Sequence, residues 1–203
     1  MTFALPTPTA QSNNETTKTA LVTEYTRQKT ALGSTPVATV TFNEYSTGRD
    51  VVTVLTLTDF IIGAFTPAAA ALAFGNILYT YPAGQHLELV YGFSSVNLKA
   101  AGTAVATNVA LGSVVGAGAV ATLAGTATFM DRITQQSITT SSTGGTAASA
   151  LLAATAGIGT GISLNVAASV KNVFMNAAGT WNLNNTGNLT ASGVVTLKWT
   201  YMS

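Results

Sequence analysis

The chain has 203 residues, no cysteine, eight Lys or Arg against seven Asp or Glu, and 47% hydrophobic residues. That length suffices for one sizeable domain burying roughly 70% of its unfolded surface without staples, and the lack of cysteine excludes thiolate catalysis, a cysteine zinc site and a disulfide framework. With a net charge of +1 and no Lys/Arg cluster, the electrostatic footprint of sequence-independent nucleic-acid binding is missing, so no direct nucleic-acid partner is expected.

Charge is also unevenly distributed. Beyond Asp59 only Glu88, Lys99, Asp131, Arg132, Lys171 and Lys198 are charged, and the other nine of the fifteen lie in residues 1–59. A soluble domain ordinarily gives about a quarter of its positions to charge. Here Thr, Ser, Asn and Gly take that place, which fits closely packed neutral strands whose surface is largely covered by other subunits.

The start, Met1-Thr2-Phe3-Ala4-Leu5-Pro6, places no basic residue ahead of an apolar run and offers no cleavage site. No secretion signal is expected there, and synthesis in a cytoplasm is. Residues 1–36 read as an N-terminal arm, with Pro6, Pro8, the polar run Gln11 to Glu15 and mixed charge from Lys18 to Lys29. Leu21, Val22, Tyr25 and Leu32 stand at roughly helical spacing, but Thr-rich flanks leave any such helix short. An arm of this composition gains order by lying on a neighbour.

From Val37 the period becomes two, and residues 37–203 are expected to form an all-β domain. Val52 and Val54 alternate with Thr53, and Leu55 and Leu57 with Thr56 and Thr58, which implies a change of face between Val54 and Leu55 that a bulge would absorb. Phe60–Tyr79 is the most apolar window, but Gly63, Thr66, Pro67, Gly75 and Asn76 interrupt it, so it reads as strand, turn, strand and no membrane partner is expected. The aromatic girdles of an outer-membrane barrel are likewise missing. Ile77, Tyr79 and Tyr81 lead to the turn Pro82 to Gln85, after which Leu87, Leu89, Tyr91 and Phe93 share a face opposite His86, Glu88 and Val90.

Further strands are expected over 109–115, 119–123, 126–133, 162–166, 170–175 and 194–201. In the last, Val195, Leu197, Trp199 and Tyr201 face inward while Thr196, Lys198 and Thr200 face out. Residues 146–155, rich in Ala and Leu, read as one or two helical turns or a loop crossing the sheet ends. Glycine breaks recur at short spacing, as in antiparallel sandwiches and jelly rolls rather than in alternating strand–helix folds.

Chemistry-bearing residues are few and scattered. His86, the single histidine, shares a strand face with Glu88, but a metal site needs three or four ligands. Serine-hydrolase chemistry lacks its nucleophile turn. Glu44, Asp50, Asp59, Glu88 and Asp131 supply enough acids for a glycosidase pair, although scattered acids meet that demand by chance. Gly157-Ile158-Gly159-Thr160-Gly161 imitates a phosphate-binding turn, yet a strand pattern follows it and no lysine does. The Asn14, Asn184 and Asn188 sequons are expected to go unused without a secretion signal. Trp181 and Trp199 could stack on a sugar, but Trp199 continues an apolar face and reads as core. No catalytic residue, cofactor or metal is therefore expected.

Leu78-Tyr79-Thr80-Tyr81-Pro82-Ala83-Gly84, the run from Ala110 to Leu123 leading to Gly125-Thr126-Ala127-Thr128-Phe129, and the ending Gly193-Val194-Val195-Thr196-Leu197-Lys198-Trp199-Thr200 resemble the small β-sandwich capsid decoration, or cement, proteins of tailed bacteriophages. The likeness covers about residues 75 to 203 and rests on strand-and-turn patterns. It implies a jelly-roll-like subunit, commonly a homotrimer, that sits on the exterior of the capsid and clamps neighbouring major capsid proteins. The arm has no counterpart in that resemblance, and its docking role is inferred from composition. The competing expectation is a head- or tail-fibre binding module recognising surface glycans through Tyr, Trp, Asn and Thr.

Overall fold

The computed structural model describes residues 33–35, 37–46, 50–65, 71–81, 87–101, 104–142, 148–150, 162–164, 172–180 and 187–201. Ten strands appear in them: β1 (Val40–Ser46), β2 (Asp50–Phe65), β3 (Ala73–Thr80), β4 (Leu87–Lys99), β5 (Ala106–Gly112), β6 (Ile133–Thr139), β7 (Ala148–Ala150), β8 (Ile162–Leu164), β9 (Asn172–Ala178) and β10 (Gly187–Tyr201). Two antiparallel sheets result. One runs β1-β2-β10-β4, with β7 and β8 both on the far side of β4; the other runs β3-β9-β5-β6.

The pairing is nested. β5 pairs with β6, β4 with β7 and β8, β3 with β9, and β2 with β10, every pair antiparallel. Successive pairs fall alternately in the two sheets, which is the winding of a jelly roll, one of the ways an antiparallel fold limits its exposed edges. Within it, β7 meets Ser94–Val96 and β8 meets Leu87–Leu89, in the order of a single strand broken by an insertion. The helical reading of 146–155 is corrected over Ala148–Ala150, which is strand; the remainder lies outside the described residues.

Between the sheets lies one continuous core that includes Leu55, Phe60, Ile62, Leu78, Leu89, Leu98, Leu111, Met175, Leu197 and Trp199. Gly92 permits the closest approach there, since a Cβ at that position would collide with the Ile133 side chain. Val195, Leu197 and Trp199 point inward as the alternation predicts, and Thr200 is buried as well.

Two expected faces are corrected. On β2 the alternation runs unbroken from Val51 to Leu57, so Thr53 points inward and Val52 and Val54 outward; Thr53 is tolerated inside because its hydroxyl is hydrogen-bonded. The change of face comes later, at a register shift beside Asp59, whose φ of 49° is the left-handed conformation that Asp tolerates better than most residues. There the Asp59 amide donates to Ser192 Oγ at 2.9 Å. On β4 a shift opposite Lys198/Trp199 leaves Leu89 inside but turns Phe93 outward and Ser94, Val96 and Leu98 inward.

The largest departure from the expected strands is the β5–β6 connection. Residues 119–123 and 126–132 are not strand but bends and two 3-10 turns, Leu123–Gly125 and Ala127–Phe129, and β5 ends at Gly112 rather than at 115. This connection lies on the outer face of the four-stranded sheet and buries a second cluster of Ala73, Ala110, Leu123, Phe129 and Ala178. The sheet is thus buried on both faces, which is why Val109–Gly112 and Met175–Ala178 are buried without alternation. Among the described residues no helix is long and apolar enough to cross a membrane, and the described parts of Phe60–Tyr79 belong to β2 and β3 apart from Ala71 and Leu72.

Candidate functional site

Three polar arrangements carry the chemistry of the described structure. The first is a buried cluster at the edge where β1 and β3 approach. Glu44 on β1 points inward and is 4% exposed. Its carboxylate accepts from the Tyr79 hydroxyl, from Thr53 Oγ1 at 3.1 Å and from the Gly33 amide at 3.4 Å. Thr53 in turn accepts from Trp199 Nε1 at 2.8 Å, so one hydroxyl serves a carboxylate and an indole. The cluster ties three strands of the larger sheet to β3 of the smaller one.

Gly33 is required at this point, because a Cβ there would run into the Tyr79 ring. The segment leading into β1 is also fastened by main-chain bonds between Ser34 and Thr80, 3.0 and 2.8 Å long. Aromatic rings surround the carboxylate. Tyr79 stands edge-to-face on Tyr81 at 5.1 Å, and Tyr81 on Trp199 at 5.5 Å.

Burial raises the pKa of Tyr79 far above the ordinary phenol value, and the neighbouring Glu44 charge and its hydrogen bond raise it further. Tyr81 is raised mainly by burial; Arg132 opposes that and Glu44 adds to it. Neither phenol is a base near neutrality. Among the described residues, the Tyr81 hydroxyl and Arg132 Nε are buried and meet no hydrogen-bond partner. With Glu44, Thr53, Tyr79 and Trp199 all closed to solvent, the cluster offers a substrate no approach and acts as a cross-tie between the sheets.

The second arrangement clasps the β5–β6 connection. Asn176 on β9 is fully buried and points outward beneath it. Its Oδ1 accepts from the Gly116 amide at 2.7 Å, while its Nδ2 donates to the carbonyls of Val114 at 2.9 Å and Phe129 at 2.8 Å. Asp131 holds Ser113 twice, through the amide and the hydroxyl, at 2.7 Å each. Gln135 accepts from the Leu123 amide at 2.9 Å, and the Gly118 carbonyl accepts from Leu72 and Ala73 at 2.8 and 3.1 Å.

The third is the outer face of the larger sheet. Pairing sets Asn43, Val54, Thr196 and Phe93 in one row across β1, β2, β10 and β4, with Thr41, Thr56, Val194 and Ser95 in the next. Tyr45 and Val194 remain 42% and 36% exposed. An ion pair, Lys198 Nζ to Asp50 Oδ2 at 3.2 Å, lies at one end of the face.

The acids singled out in the sequence go to separate places. Glu44 is interior, Asp50 lies on the outer face of one sheet, Asp59 sits in the β2 bulge and Asp131 belongs to the connection covering the other sheet. Among the described residues no three His, Cys, Asp or Glu come together as a metal site would require. Trp199 is core, with 0% exposure. His86, the Glu88 side chain, the 157–161 glycines, Asn14, Trp181 and Asn184 lie outside the described residues, and Asn188 is exposed at the start of β10.

Among the described residues, the Glu44 and Asn176 side chains each hold three partners, and the sequence reading gave Asn176 no part and Glu44 only a place among the scattered acids. The usable signal was a lone polar residue within an apolar strand, as in Val173-Phe174-Met175-Asn176-Ala177. Compared with known proteins, the chain matches no family model, no curated protein and no solved structure.

Proposed function

We propose that the chain is a structural virion protein: a capsid decoration, or cement, subunit that binds the outside of a bacteriophage head and stabilises the lattice of its major capsid protein, assembled as a homotrimer and docked partly through its N-terminal arm. The observation that carries this reading is the pairing of a jelly-roll winding, an architecture used by capsid proteins, with an outer sheet face whose central rows carry no charge and which no described residue covers. Few charges need to be desolvated on such a face, so permanent contacts form there at little electrostatic cost. The polar groups inside are closed off and tie the sheets together, which suits a subunit selected for rigidity. No catalytic step, cofactor or metal belongs to this reading.

A glycan-binding fibre module is the competing function, since jelly rolls also serve as lectins. It loses one of its two candidate stacking platforms with the burial of Trp199.

The test is binding to phage heads that lack the protein. Purified chain is expected to co-sediment with expanded heads, to raise their resistance to heat, and to appear as added density on the shell exterior in a reconstruction. A chain lacking residues 1–32, which spares the Gly33 and Ser34 bonds to the sandwich, should keep its β-sheet circular dichroism and lose affinity for heads. Absence from the shell together with glycan-array binding would replace this reading with the fibre module.

A further inference from the structure

We infer that the outer face of the six-stranded sheet is the surface on which a second copy of this chain packs. The inference rests on the proposal that the chain is an assembling subunit, and four observations support it.

The two outer sheet faces are unequal. That of the smaller sheet is already covered by the β5–β6 connection, held by Asn176 and by the cluster around Leu123 and Phe129. On the larger sheet, Val52, Val54 and Phe93 are half-buried while Tyr45, Thr56 and Val194 are exposed.

The size of the face fits a stable pair of proteins. Four strands at about 4.8 Å spacing and seven residues at about 3.3 Å give roughly 440 Å². Beyond β1, β2 continues from Thr58 to Phe65 and β10 from Ser192 back to Gly187, while β4 ends at Lys99, which brings the face to roughly 700 Å², near the ~800 Å² per partner of a standard interface.

Its charge points to the same occupant. Asp50 and Lys198 pair at one end, Lys99 is exposed at the far end of β4, and the two central rows carry no charge, so the middle of the face offers nothing to a strongly acidic or basic partner. A second copy is equally poor in charge over residues 60–203. The outward residues are also stiff, since Val and Thr are β-branched and lose little side-chain freedom when covered.

The experiment is the solution mass of the full chain by light scattering and sedimentation across a dilution series. Wild type is expected to be a dimer or trimer. Val54→Lys and Val194→Lys, checked for an unchanged β-sheet spectrum and melting temperature, are expected to be monomers. The Val54→Thr/Val194→Thr double variant, which keeps the β-branching, should dissociate at roughly tenfold higher concentration. Val115→Lys, on the connection covering the other sheet, should leave the mass unchanged. A monomeric wild type, an oligomer indifferent to the Lys substitutions, or one broken by Val115→Lys alone overturns the inference. An oligomer that dissociates with Val54→Lys yet never binds heads retains this interface and removes the capsid reading, and a monomer that binds heads does the reverse.

Discussion

The two sheets share an interior but are finished differently on the outside. Over the β3-β9-β5-β6 sheet the chain lays twenty of its own residues, 113–132, and fastens them through Asn176, whose side chain satisfies three main-chain groups, with Asp131 and Gln135 beside it. Over the β1-β2-β10-β4 sheet it lays none of its described residues, and the two central outward rows are Val, Thr, Ser, Asn and Phe. Covering a sheet with irregular chain requires partners for every buried amide and carbonyl. Leaving it open requires only that solvent or another protein meet a regular surface.

The sharpest way to break this contrast is Asn176→Leu. It leaves the Gly116 amide and the Val114 and Phe129 carbonyls without their partner, for an expected loss of about 4 kcal/mol in urea unfolding. An outward change such as Val54→Thr should cost the isolated chain less than about 0.5 kcal/mol. Equal losses at the two sites would remove the distinction between the faces.

A second measurement separates the shared interior from both surfaces. Tyr79 and Tyr81 have raised pKa values when folded, so their contribution to stability is fully present below the unfolded phenol value of about 10 and is lost as pH rises beyond it. Stability should be flat from this source through neutrality, then fall by up to about 1.4 kcal/mol per pH unit for each tyrosine. The Tyr79→Phe/Tyr81→Phe variant should lose that alkaline slope; an unchanged slope would place the titrating groups elsewhere. The smallest effect belongs to Tyr81→Phe alone. Its hydroxyl is buried and meets no partner among the described residues, so removal should be neutral or stabilising by up to about 1 kcal/mol.

Much of the sandwich was legible because period-two patterning reports directly on strands, and the inward set Val195, Leu197 and Trp199 was read correctly. What escaped depends on tertiary partners. Thr53 looked outward because threonine is polar, and only Glu44 and Trp199, from other strands, make its inward place comfortable. The 113–132 connection looked like strands because it is apolar and β-branched, a composition equally suited to a segment laid flat over a sheet. Asn176 resembled a chance polar residue until its three bonds to that connection were visible.

The nested winding also sets the order in which the protein can be completed. Thr53 and Trp199, joined in the interior, are 146 positions apart, and β10 fills the gap between β2 and β4. Until residues near 201 leave the ribosome, those two long strands have no neighbour between them and their backbone edges stay open to stray pairing. The thread of the chain therefore makes closure all-or-none: a product cut before β10 leaves β2 and β4 unjoined and cannot complete the larger sheet.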